Sequence, residues 1–166
     1  MKKIAKRIGI VLAVLVIMFL AGPRTKIDLE IKPINLPADL DQYLAESEAK
    51  FSDIVPGTEK MIVWANAEKT KTPISIVYLH GYSATRQETV PLSDELAKQW
   101  EANIYYTRLS GHGRSNAAMD EPTVNDWLYD TMEALEIGKR LGDKVIVIGT
   151  STGGTLALKL CAEYPE

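Results

Sequence analysis

The chain has 166 residues, 46% of them hydrophobic, with 19 Lys and Arg against 22 Asp and Glu for a net charge of −3. That length holds one domain or less, and the interspersed charge beyond the N-terminus leaves no basic footprint for nucleic acid. Cys161 is the single cysteine, which excludes an intrachain disulfide and a thiolate metal cluster.

At the N-terminus, Lys2, Lys3, Lys6 and Arg7 precede the uncharged run Ile8–Gly22. This is the charged-then-apolar layout of an export signal, with a length between a signal-peptide core and the roughly 20 residues of a full span. Phe19 or Leu20 would occupy the outer position of a cleavage site, and Pro23 follows Gly22, so the usual small residues are missing. No cysteine follows to carry a lipid. Residues 1–22 therefore read as an uncleaved signal anchor, basic end cytoplasmic and the rest extracytoplasmic. A cleaved signal peptide, leaving an exported protein, is the alternative.

Residues 23–58 read as a linker, Pro23–Pro37, and an extension helix. Pro37 stands at the helix start, and Leu40, Tyr43, Leu44 and Phe51 mark one face before Pro56-Gly57 stops it. From residue 59 the pattern alternates. Met61–Ala65 is a predicted strand, Glu68–Thr72 a polar turn, and Ile74–Leu79 a continuous apolar strand ending in His80-Gly81-Tyr82. Gln87–Glu101 is a predicted helix with Leu92, Leu96 and Trp100 spaced by four. Asn103–Arg108 is a third strand, leading into Gly111-His112-Gly113-Arg114-Ser115. Thr123-Val124-Asn125-Asp126 is a capping box, and Val124, Trp127, Leu128, Thr131, Leu135 and Gly138 form the face of a long helix that Gly142 closes.

Val145–Ile148 is the last apolar run, with the β-branched composition of a strand buried on both faces. Gly149-Thr150-Ser151-Thr152-Gly153 follows, and then the period changes. Leu156, Ala157, Leu160, Cys161 and Tyr164 share one helical face, with Cys161 expected as an inert core residue. The order β-α-β-α-β-α predicts an α/β fold with a parallel sheet and helical crossovers.

A G-x-S-x-G match acquires meaning only between a strand and a helix, and Gly149–Gly153 has that context. The sharp turn forces its middle residue into a strained conformation, and glycines two positions either side let the backbones pass. Ser151 is thereby a candidate nucleophile, presented at the positive end of the following helix. A Gly-rich turn that holds a phosphate is the competing reading, although neither G-x-G-x-x-G nor G-x-x-x-x-G-K-[ST] fits.

Taken together, His80-Gly81-Tyr82, Gly111–Ser115 and Gly149–Gly153, each after a strand and in that order, resemble the α/β-hydrolase family. The closest resemblance is to its monoglyceride-lipase-like and serine-aminopeptidase-like branch, over roughly Lys60 to Glu166. The helix Leu36–Phe51 also looks like the N-terminal extension of bacterial members. The resemblance implies a mostly parallel sheet with helices on both faces. It also implies Ser151 as nucleophile, and the backbone N–H groups of Tyr82 and Thr152 as oxyanion donors. His80, Gly81, Gly149 and Gly153 would shape the two turns. No metal or cofactor is implied, and the substrate would be a small-molecule or lipid-like ester.

The family places its acid and its histidine after the nucleophile, in the order Ser, Asp or Glu, His. His80 and His112 both precede Ser151, and no histidine or aspartate follows it, so both histidines are expected to be structural. The triad Asp and His are absent from this chain, which looks like the N-terminal half of a hydrolase, truncated after the helix that follows the nucleophile. Two readings stand: a serine esterase or lipase as the intact parent, or a non-catalytic truncated product or pseudoenzyme.

Overall fold

The computed structural model describes residues 2–22, 28, 30 and 33–165. Much of the Pro23–Pro37 linker thus lies outside the described residues. Helix α1, Lys2–Ala21, is exposed along its length and is the one described helix long and apolar enough to cross a membrane.

Helix α2, Leu40–Glu48, begins at Asp39, whose carboxylate accepts the Gln42 amide at 2.9 Å. The first helical residue, Leu40, lies three beyond the predicted Pro37, because an aspartate cap satisfies an orphan amide that proline only avoids. Strand β1 is Met61–Val63 and β2 is Thr72–Leu79. A single 3-10 turn, Arg86–Glu88, precedes helix α3, Leu92–Gln99. Strand β3, Asn103–Tyr106, helix α4, Val124–Leu141, strand β4, Gly142–Gly149, and helix α5, Thr152–Glu163, complete the order. The capping box forms as read: the Asp126 carboxylate accepts from the Thr123 amide at 2.7 Å, and Thr123 Oγ1 accepts the Asp126 amide.

The sheet runs β1-β3-β2-β4, with β1 antiparallel at one edge and β2, β3 and β4 parallel. Alternation along the strands divides the core. Val77, Leu79 and Tyr105 face α2, α4 and α5, among Leu40, Leu44, Leu128, Met132, Leu135, Leu156 and Leu160. Ile76, Tyr78, Ile104 and Tyr106 face α3 and its Ala97. The α/β class with helices on both faces is therefore the observed architecture.

Three expectations are corrected. The predicted helix Gln87–Glu101 is cut to Leu92–Gln99, because Pro91 lacks an N–H and biases Val90 away from helical backbone. Within it Ser93 and Ala97 turn inward, while Leu92 is 64% exposed and Trp100 43%. Small residues let the helix sit close to Tyr78 and Tyr106; the Tyr106 hydroxyl donates its one proton to the Asp94 carboxylate at 2.5 Å and accepts from Ser93 Oγ at 2.9 Å. Strand β4 begins at Gly142 rather than Val145, since Thr72 and Ile74 of β2 pair with Gly142 and Lys144. Cys161 is exposed rather than buried. It lines an open groove of about 710 Å³ with Val145, Val147, Leu160 and Tyr164, beside β4, which among the described residues pairs only with β2.

Candidate active site

The parallel register aligns the C-terminal ends of three strands, the edge at which open α/β sheets place their ligands. Tyr78 is level with Tyr106 and Ile148, and Leu79 with Gly149. The chain leaves this edge in the three turns His80-Gly81-Tyr82, Gly111–Ser115 and Thr150–Gly153. The Thr150 amide donates to the Leu79 carbonyl at 3.1 Å, tying the last turn to the first.

Ser151 is exposed, at φ 49° and ψ −109°. Positive φ on a non-glycine residue costs about 1–3 kcal/mol and persists only where the surroundings enforce it. The surroundings here are backbone. A Cβ on Gly149 would sit 2.5 Å from the Gly153 carbonyl oxygen, and one on Gly153 2.7 Å from the His80 carbonyl oxygen. Both positions admit only hydrogen, so the elbow presses directly on the His80-Gly81 turn. Thr152 is the first residue of α5, where helix geometry leaves the N–H without an intrahelical acceptor and the helix end is positive.

His80 is fully buried and both ring nitrogens are engaged. Nε2 accepts the Leu109 amide at 3.0 Å, so Nδ1 carries the proton and donates to the Gly81 carbonyl at 2.9 Å. That carbonyl also accepts the Ala84 amide at 3.2 Å. In a planar peptide the C=O and the next N–H point in opposite directions, so holding the Gly81 oxygen fixes the direction of the Tyr82 N–H. Burial pushes the His80 imidazole down to about 4, keeping it neutral.

The His112 ring packs tilted against the His80 ring, with centroids 4.8 Å apart and planes inclined by 57°. Its Nδ1 lies 3.2 Å from the Ser110 carbonyl, and burial lowers its pKa as well. The exposed Tyr82 ring stands edge-on to His112 at 5.9 Å and to Trp127 at 6.3 Å.

The loop carrying His112 is held by charge. Arg108 forms two bonds to the Glu48 carboxylate at 2.8 and 2.9 Å and donates to the His112 carbonyl at 3.1 Å, so α2 braces the loop. Asp130 Oδ2 accepts the Ser110 amide at 2.6 Å. Burial raises the Asp130 carboxyl to about 6, against the opposing pull of Lys60 and the Ser110 amide. These supporting groups escape the sequence reading; the one signal for them is the helical spacing of Asp126, Asp130 and Glu133.

Residues 70–166 match the family described as serine aminopeptidase, S33 (Hydrolase_4). The chain belongs to this family of α/β-hydrolases. Two relatives show the same affinity. A thermostable monoacylglycerol lipase of Bacillus sp. (strain H-257) is 31% identical over 94 residues, 57% of this chain and 37% of the lipase. A structure from work on LipS and LipT, two metagenome-derived lipolytic enzymes, superposes with a TM-score of 0.59 at 25% identity. That match covers 68% of this chain and 43% of the other. The chain thus spans about two fifths of each of these hydrolases. As an S33-family member it carries the strand-turn-helix at Ser151 within the matched segment.

Proposed function

We propose that the intact protein bearing this sequence is a serine hydrolase of carboxylic esters, with Ser151 as nucleophile and an acyl-enzyme intermediate. The observation that carries this reading is the backbone of Ser151: a positive-φ serine at a strand-to-helix turn, gripped between Gly149, Gly153 and the His80-Gly81 turn. Such strain on an exposed hydroxyl serves no packing purpose and suits a group that must meet a substrate.

In the proposed mechanism Ser151 Oγ attacks the ester carbonyl and its proton passes to a histidine. The carbonyl oxygen, now negative, takes hydrogen bonds from the amides of Thr152 and Tyr82. These donors are preset, one by the start of α5 and one by the held Gly81 carbonyl, so they need no reorganisation during reaction. Each is worth about 3–4 kcal/mol of barrier. His80 is unsuited to be the base, since its lone pair is occupied by the Leu109 amide and its proton by Gly81. We assign the base and its carboxylate partner to the part of the hydrolase domain that the relatives have and this chain does not span. Collapse of the intermediate expels the alcohol, protonated by that histidine, and water then attacks the acyl-Ser151.

The relatives, a monoacylglycerol lipase and lipolytic enzymes, and the apolar α1 support a lipid-like ester as the substrate. Residues 1–22 act as a signal anchor, residues 23–58 as linker and bracing helix, and residues 59–166 as the first part of the hydrolase domain. The basic cluster before the apolar helix puts the N-terminus in the cytoplasm and the hydrolase outside. An enzyme held at a bilayer surface suits lipid esters. Neither a metal nor a cofactor is required. The test is turnover of p-nitrophenyl esters and a monoacylglycerol by the intact protein and its Ser151→Ala variant. Turnover that persists in the variant would reject the assignment.

A further inference from the structure

Glu88 lies in the 3-10 turn Arg86–Glu88, outside every motif of the sequence and outside the three turns of the candidate site. Its side chain nevertheless reaches back under them. Glu88 Oε1 accepts the Gly81 amide at 2.7 Å and the Tyr78 hydroxyl at 2.6 Å. The Tyr78 oxygen also lies 3.0 Å from Thr150 Oγ1. Because the single Tyr78 proton goes to the carboxylate, Thr150 is the donor in that contact. One chain of hydrogen bonds therefore runs from Thr150, the residue before Ser151, through Tyr78 and Glu88 to Gly81, the residue before Tyr82.

We infer that Glu88 is a positioning residue that sets the two oxyanion amides relative to each other. The inference rests on the reading of Ser151 as nucleophile with the Tyr82 and Thr152 amides as donors. His80 fixes the Gly81 carbonyl and hence the plane of the Gly81–Tyr82 peptide. Glu88 fixes the other end of the same residue, its amide, and connects it to the elbow. Without Glu88, Gly81 keeps its carbonyl contacts but loses the tie to Thr150, and the two turns are joined only through main chain. Charge-assisted bonds near 2.7 Å are among the stronger and more directional ones. Glu88 as a whole is exposed, so its removal leaves no void in the core, and Glu88→Gln keeps an acceptor for the Gly81 amide and the Tyr78 hydroxyl where alanine leaves both without one. Position and stability are therefore separable at this residue.

Kinetics of the intact protein on a p-nitrophenyl ester test this, with Glu88→Ala, Glu88→Gln, Tyr78→Phe and Ser151→Ala measured beside the wild type. Misplacement of a reacting group by about 1 Å costs about 100-fold, so Glu88→Ala is expected to lose about 10-fold to 100-fold in kcat with KM within about twofold. Glu88→Gln keeps an acceptor oxygen at the same reach and is expected to restore most of the rate. Tyr78→Phe cuts the chain at its middle and is expected to lose rate, with no further loss in the Glu88→Ala background. Wild-type kcat in Glu88→Ala overturns the inference, as does a Glu88→Gln variant as slow as the alanine. If Glu88→Ala fails to fold, wild-type kcat in Tyr78→Phe overturns it. With turnover abolished in Ser151→Ala, such results leave the nucleophile reading standing. Undiminished turnover in Ser151→Ala removes that reading and this inference together.

Discussion

Gly153→Ala is expected to destabilise the fold by about 2–3 kcal/mol and to slow reaction at Ser151 by about 100-fold. The methyl carbon would lie 2.5 Å from the Leu79 carbonyl carbon and 2.7 Å from the His80 carbonyl oxygen. Unstrained carbon contacts need about 3.5 Å, so elbow and turn must part by roughly 1 Å. Both neighbours are backbone at the end of the central strand β2, which has no side-chain rotamer with which to yield. Separating the turns also separates the Thr152 amide from the Tyr82 amide. Gly154→Ala is the control one residue on. Its closest neighbour would be the Gly149 carbonyl oxygen at 3.3 Å, and alanine within a helix is favoured by about 1 kcal/mol over glycine. Thermal unfolding of the two variants and the rate of fluorophosphonate labelling of the intact protein provide the assay. A loss of about 2–3 kcal/mol lowers the melting temperature by about 4–12 °C in a domain of about 150–250 residues. Wild-type melting and labelling in Gly153→Ala would refute the idea that the elbow is wedged against the turn.

Three further outcomes are expected. Asp130 has its folded pKa raised to about 6 from 3.8 by burial, so between those values the folded state holds a proton the unfolded chain has released, and stability from this group falls as pH rises. Denaturant unfolding of wild type against Asp130→Asn is expected to show a wild-type advantage shrinking from pH 4 to pH 6, and a constant difference would contradict it. Cys161 in the 166-residue chain is exposed and is expected to react with a thiol reagent without denaturant; protection until unfolding would contradict the structure. Residues 25–166 expressed alone are expected to self-associate through the β4 edge, whose backbone has no second partner strand among the described residues, and to lack esterase turnover. A monomer by analytical ultracentrifugation with Ser151-dependent turnover would contradict both.

The α/β class and the family are legible in the sequence because short range sets both: β-branched runs make the strands, and the turn glycines sit where backbones cross. Ser151 stands out for the same reason, its neighbours being the two glycines that its geometry requires. What escapes a linear reading depends on contacts between segments. Pro91 overrides the Leu92, Leu96, Trp100 spacing, and the inward face of α3 is chosen by the two tyrosines beneath it. Cys161 has the right helical phase for burial, but phase says only where a side chain points, and the groove it points along is open. The brace of Glu48 on Arg108 and the reach of Glu88 to Gly81 join residues 60 and 7 positions apart. Neither has a local signature, since a carboxylate on a helix or turn reads as solvated until its partner is placed beside it.

The most direct measurement is to treat the intact protein with a fluorophosphonate and locate the adduct by peptide mass spectrometry. A single modified peptide spanning the elbow is expected, with the phosphonyl group on Ser151 and none in the Ser151→Ala variant. An adduct on another residue, or undiminished labelling of the alanine variant, would contradict it.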